Sequence, residues 1–176
     1  MVTKAVMFAT KAHEGQVRKA TKIPYILHPL ECAVIVSAMT MDEEMIAAAL
    51  LHDTVEDCEG VTVELIRKEF GDRVARFVAG ESEDKSKSWL ERKQATIDHL
   101  QHADMEECIL VLADKLSNIR SIVRDYKVFG EDLWERFNEK HKEKIGWYYR
   151  SIGEAMECLC EYAEYQEYIK LVNEVF

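Results

Sequence analysis

The chain has 176 residues, 48% of them hydrophobic, which suits one domain of ordinary size that buries its own core without a disulfide or structural-metal staple. With 7 glycines and 2 prolines it is poor in the residues of a turn-rich all-β fold, and no apolar run approaches the roughly 18 to 20 residues of a membrane span. A formal net charge of −10 disfavours a nucleic-acid partner, which needs a basic face, yet allows a small anionic ligand in a local cationic pocket.

Apolar residues recur at three- and four-residue steps along nearly the whole chain, and no stretch alternates with the period of a strand, so the expected fold is all-α and a single multi-helix domain over 1–176. Residues 3–14 read as a first helix, entered without the apolar core and cleavage site of a signal peptide. A polar loop, Gly15 to Lys22, leads to Pro24 and to His28-Pro29. Pro29 fits the first turn of a second helix, where a missing N–H costs nothing, and that helix runs to about Ala38. Asp42 caps a third helix that ends at His52. Thr62 to Phe70 is a fourth, stopped by Gly71, and Asp72 to Val78 a short fifth. The segment from Glu81 to Ser88 is a charged loop, and Ser88 with Glu91 makes a capping box for a helix through about His102. Asp104 with Glu107 opens the next helix, residues 131–159 are strongly helical, and a last helix covers about 162–175. The cysteines (Cys32, Cys58, Cys108, Cys158, Cys160) contain no CxxC pair and read as reduced, mostly buried thiols of a cytoplasmic protein.

Three places put a charged or metal-ligating side chain at the end of an apolar run. His52-Asp53 follows Ile46-Ala47-Ala48-Ala49-Leu50-Leu51, Asp114 follows Cys108-Ile109-Leu110-Val111-Leu112-Ala113, and His28 stands at the mouth of an apolar helix. Singly, each has an ordinary reading: a helix-end histidine, a solvated acid, a paired structural carboxylate. Together they point to a shared centre, because a carboxylate at the end of a buried helix is costly unless something pairs with it. Two imidazoles and two carboxylates leave positions open on a six-coordinate ion. That suits Mn²⁺, Fe²⁺ or Mg²⁺ better than a closed structural zinc site.

The order His28, His52-Asp53, Asp114 resembles the HD-domain metal phosphohydrolases. The stretches Arg18 to Pro29, Ala48 to Asp57, Glu83 to Ser86 and Leu112 to Arg120 look like the hydrolase domain of the RelA/SpoT homologues, and the size is similar to that of the stand-alone small alarmone hydrolases of the stringent response. The resemblance covers about residues 1–155. It implies an HD-domain helical bundle in which His28, His52, Asp53 and Asp114 bind Mn²⁺. It also implies removal of the 3′-pyrophosphate from guanosine 3′,5′-bis(diphosphate). Ala20 stands where many relatives carry Gly, and alanine cannot cheaply take φ > 0, so the substrate loop is expected to differ in shape.

The resemblance also distributes roles. Glu56 and Asp57, three and four residues after Asp53, orient or deprotonate the attacking water or pass a proton to the leaving 3′ oxygen. Asn118, one turn beyond Asp114, contacts ribose or base, and Arg120 contacts phosphate or braces the metal carboxylate. Arg18, Lys19, Thr21 and Lys22 before His28 hold the nucleotide, with Lys85 adding to the same field. His13, His99, His102 and His141 read as structural or surface residues, and Tyr25 as a core or rim aromatic. Two other readings compete with alarmone hydrolysis: an HD-domain phosphatase acting on a deoxynucleotide, a nucleoside monophosphate or NADPH, and a nucleotide sensor without catalysis.

Overall fold

Several helices of this chain begin where a side chain accepts from their free backbone N–H groups. The computed structural model describes residues 1–18, 21–80 and 86–176, and these fold as α1 (Val2–Ala12), α2 (Leu27–Met39), α3 (Glu43–Leu51), α4 (Thr54–Asp57), α5 (Val63–Phe70), α6 (Asp72–Gly80), α7 (Trp89–Leu100), α8 (Met105–Phe129), α9 (Lys142–Ala155) and α10 (Ala163–Val175). Short 3₁₀ segments cover Gly130–Arg136 and Glu157–Leu159. The fold is all-α; the only β pairing among the described residues is an isolated bridge between Val17 and Pro24.

The expected caps are in place. Asp42 Oδ1 accepts from the Glu44 and Met45 amides at 2.8 and 3.3 Å and starts α3. Ser88 and Glu91 form the reciprocal capping box of α7, and Asp104 Oδ1 accepts from the Glu107 amide at 2.9 Å to start α8. Gly71 ends α5 at φ 95°, a conformation that a side chain with a Cβ resists. Other boundaries differ from the sequence pattern. α2 starts at Leu27, so His28 lies inside its first turn. The span 131–159 is broken, with a 3₁₀ segment, a stretch without regular helix at 137–141, and then α9.

The chain divides into two compact units, Met1–Glu83 and Asp84–Phe176. In the first, α3 is the central element, packed by α1, α2 and α6. Ala47, Ala48, Ala49, Leu50 and Leu51 are all buried, so this helix is apolar on every side, as a helix with neighbours all around must be. Its N-terminus is fixed to α6 by Arg73, whose guanidinium meets Asp42 at 2.7 Å and Glu44 at 2.8 Å. In the second unit α8 packs on α10 and on both 3₁₀ segments, and α9 packs on α7 and α10. The run Cys108 to Ala113 is wholly buried there. No helix of the described residues is long and apolar enough to cross a membrane.

Candidate metal centre

The C-terminal end of α3 turns directly into the site. His52 and Asp53 keep right-handed helical dihedrals between α3 and the single turn α4, and the Thr54 hydroxyl donates to the Leu51 carbonyl at 2.7 Å. The Asp57 amide donates to the Asp53 carbonyl at 2.9 Å, so Asp53 and Asp57 stand one helical turn apart. His28 enters from the first turn of α2, which packs on α3.

These elements bring His28, His52 and Asp53 together. Asp53 Oδ2 lies 2.9 Å from His52 Nε2 and 3.6 Å from His28 Nε2, and the two imidazole rings are 5.2 Å apart, edge to face. Both histidine side chains are nearly inaccessible, at 2% and 7% exposed, while Asp53 retains 21%. Of the three side chains, the Asp53 carboxylate is therefore the one that solvent reaches.

The hydrogen bonding of His52 decides what fits between these groups. Its Nδ1 lies 2.8 Å from the Ala49 carbonyl, which can only accept, so Nδ1 carries the ring proton. In the neutral ring, Nε2 then presents a lone pair toward a carboxylate oxygen. Two acceptors 2.9 Å apart need a proton or a metal ion between them. The spacing suits a metal, since two donors each about 2.1 Å from one ion and at right angles stand about 3 Å apart. A ring N–H held by a backbone carbonyl is also the usual orientation of a metal-binding histidine. Cys32, one turn after His28 on α2, places its thiol 3.7 and 3.9 Å from the two His28 ring nitrogens. Donor atoms of His28, Cys32 and His52 lie within 4.8 Å of one another.

In the second unit, Asp114 is buried in α8 at the end of its apolar run. Lys115 Nζ donates to its Oδ2 at 2.5 Å and Asn118 Nδ2 to its Oδ1 at 2.6 Å, so the buried carboxylate is charge-compensated by its chain neighbour and oriented from the next turn of its own helix. The chain therefore holds buried His, Cys and Asp side chains able to bind a metal.

The remaining residues singled out from the sequence fall as follows. Glu56 is half-buried on α4 and Asp57 is exposed, its carbonyl taken by Gln16 Nε2 at 2.8 Å. Arg18 is half-buried, with its guanidinium 5.8 Å from the Tyr25 ring centre. The Thr21 hydroxyl donates to the Arg18 carbonyl at 2.9 Å, and Lys22 is exposed. Arg120 reaches Glu167 of α10 with both Nε and an Nη, each at 2.7 Å. Lys19, Ala20 and Lys85 lie outside the described residues. Sequence reasoning missed Cys32, which the four-residue step from His28 within one helix could have flagged, and Lys115, which adjoins Asp114. It also read Tyr25 as a core or rim aromatic, because the partner of its hydroxyl, Asp53, is distant in the chain.

An HD-domain family profile matches residues 5–139. The guanosine-3′,5′-bis(diphosphate) 3′-pyrophosphohydrolase MESH1 of Danio rerio is 40% identical over 127 residues, covering 70% of this chain and 70% of that protein. The chain belongs to this HD-domain hydrolase family. MESH1 of Xenopus tropicalis is 39% identical over the same shares, and a guanosine-3′,5′-bis(diphosphate) 3′-pyrophosphohydrolase of Vibrio cholerae is 38% identical, of which this chain covers 17%. Among solved structures, lmo0812 from Listeria monocytogenes superposes with a TM-score of 0.78 at 37% identity over 85% of this chain and 98% of that one. A metazoan SpoT orthologue described as hydrolysing ppGpp superposes with a TM-score of 0.80 at 25% identity, over 98% and 94% of the two chains.

Proposed function

We propose that this protein is a divalent-cation-dependent hydrolase that removes the 3′-pyrophosphate of guanosine 3′,5′-bis(diphosphate) or its pentaphosphate analogue, giving GDP or GTP and pyrophosphate. The observation that carries the reading is the His52 lone pair facing Asp53 Oδ2 at 2.9 Å with His28 alongside. Membership of a family whose relatives bear that activity in their names supports the substrate. Because the family profile runs from residue 5 to 139, through both units, we read the chain as one HD-type hydrolase domain. We assign Asp114 as the fourth ligand beside His28, His52 and Asp53. Imidazole and carboxylate donors together favour Mn²⁺, with Fe²⁺ and Mg²⁺ as alternatives.

A divalent cation held by these residues supplies Lewis acidity at phosphate. The other roles belong to the chain. Glu56, half-buried one turn past His52-Asp53, takes the proton of the attacking water. The bond between the 3′ oxygen and the nearer phosphorus breaks, the water oxygen stays on the pyrophosphate, and the proton taken up by Glu56 passes by way of Asp57 to the 3′ oxygen. Arg18, Lys19, Lys22 and Lys85 offset the substrate's phosphate charge, which an acidic chain must do locally, and Thr21 adds a neutral hydrogen-bonding group beside Arg18. Asn118 orients the ribose side of the nucleotide while bonded to Asp114. Arg120 acts at one remove, since Glu167 holds its guanidinium. Five cysteines outside any disulfide and the net charge of −10 support a cytoplasmic enzyme acting on a small nucleotide rather than a nucleic-acid or membrane binder.

The test is incubation of purified protein with Mn²⁺ and guanosine tetraphosphate, followed by separation of products. GDP and pyrophosphate in equal amounts are expected. Release of inorganic phosphate alone, or turnover confined to a monophosphate or NADPH, would overturn the assignment.

A further inference from the structure

Tyr25 connects three parts of the site that no sequence spacing links. Its hydroxyl donates to Asp53 Oδ2 at 2.6 Å, within the range of a hydrogen bond to a charged acceptor. That oxygen is the same one that faces His52 Nε2 and His28 Nε2. The backbone of Tyr25 is fixed on both sides. Its amide donates to the Gln16 carbonyl at 2.9 Å, and its carbonyl accepts from the His28 amide at 2.9 Å. Next to these bonds, Val17 bridges Pro24, and the Arg18 amide donates to the Ile23 carbonyl at 2.8 Å.

The ring is fixed as well. His13, which is buried, packs on it at 4.9 Å with a tilt of 38°, and His28 meets it edge to face at 5.9 Å. His13 is itself held by Gln16, whose Oε1 lies 2.8 Å from His13 Nδ1 and whose Nε2 donates to the Asp57 carbonyl at 2.8 Å. One packed set of side chains therefore reaches from α1 to both ends of the His52–Asp57 turn. The Arg18 guanidinium lies 5.8 Å from the ring centre, within cation–π range.

We propose that Tyr25 is a positioning residue with two separable parts: its hydroxyl holds Asp53 for the divalent cation, and its ring presents Arg18 to the nucleotide. The proposal rests on the functional reading above. A carboxylate bonded to a fixed phenol has one rotamer to offer, so the ordering cost is met before the cation arrives. Groups that orient ligands in this way change metal affinity by roughly 10- to 100-fold when removed. A cation–π contact at a partly exposed site is worth about a two- to fivefold change in affinity.

The experiment uses the full chain stripped of metal, with Mn²⁺ as the probe and free Mn²⁺ read by electron paramagnetic resonance. Tyr25→Phe keeps the ring and removes the hydroxyl; it is expected to weaken Mn²⁺ binding by about 10-fold or more while leaving KM for guanosine tetraphosphate at saturating Mn²⁺ within about twofold. Tyr25→Leu removes both parts and is expected to raise KM by about two- to fivefold as well. Replacing Tyr25 by 4-aminophenylalanine, which restores a donor on the same frame, is expected to recover most of the Mn²⁺ affinity, and it serves as the comparison if Tyr25→Phe does not fold. Wild type that binds Mn²⁺, with Tyr25→Phe binding equally well, overturns the role of Tyr25 alone. Wild type that binds no Mn²⁺ overturns the functional reading, and this proposal with it. Equal loss of affinity in Tyr25→Phe and 4-aminophenylalanine proteins shows a general structural effect and also rejects the proposal.

Discussion

Asp42→Ala should loosen the helix that carries His52 and Asp53 while leaving every site residue in place. The Asp42 carboxylate accepts from two backbone amides at the start of α3 and from the Arg73 guanidinium of α6. Loss of an N-cap costs about 1 kcal/mol. The ion pair adds about 0.5 to 1 kcal/mol at most, because each partner is 30% exposed and solvent screens it. Arg73 keeps Glu44 at 2.8 Å, so no charge is stranded. The sum, about 1.5 to 2 kcal/mol, corresponds to a fall of about 3 to 8 °C in Tm for a chain of this size. Burial pushes the Asp42 carboxyl up, but the Arg73 hydrogen bond and the two amides outweigh it and hold the group below 3.8. A carboxyl depressed in the folded state stabilises it fully above its unfolded value and loses that contribution as pH falls through the folded one. Urea unfolding followed by circular dichroism should therefore show the full gap between wild type and variant at pH 7 and a smaller one near pH 3. A gap below about 0.3 kcal/mol at pH 7, or one that widens in acid, would refute the assignment of Asp42 as the anchor of α3.

Glu56→Gln should keep Mn²⁺ binding and lower kcat by about 100-fold or more, as expected for loss of a proton-transfer group; a variant with wild-type kcat removes Glu56 from the chemistry. In the native protein at pH 8, a thiol reagent should modify Cys158 rapidly and leave Cys32, Cys58 and Cys108 unreacted until the chain is unfolded. Cys108 is strongly protected, because burial, followed by the neighbouring Cys158, pushes its thiol up to about 12. Mass spectrometry of the labelled peptides gives the order, and early modification of Cys108 would contradict the packing of α8.

Much of this architecture was legible from local chemistry. Asp42, Thr62, Ser88 and Asp104 each precede a helical run and each caps one, because a short oxygen-bearing side chain is the cheapest partner for free N–H groups. The apolar runs that end on His52-Asp53 and on Asp114 are buried as their composition requires. What was not legible depends on tertiary partners. The periodicity of 131–159 does not distinguish a 3₁₀ segment and a break from one continuous helix. Trp134 is buried and donates to Glu131 at 2.9 Å within the 3₁₀ segment, an arrangement set by packing rather than by propensity. Tyr25 reads as an ordinary rim aromatic because its hydrogen-bond acceptor lies 28 residues away. The pairing of Arg120 with Glu167 spans 47 residues and carries no local signature.

The proposed activity rests on His28, His52 and Asp53 acting as ligands of one cation. Protein dialysed against a strong chelator and then titrated with Mn²⁺ tests this directly, with free Mn²⁺ and pyrophosphate release followed in the same samples. One Mn²⁺ bound per chain, activity that rises in step with it, and loss of both in Asp53→Ala are the predicted results. Full pyrophosphate release by the chelator-treated protein, or undiminished Mn²⁺ binding by Asp53→Ala, would contradict the account.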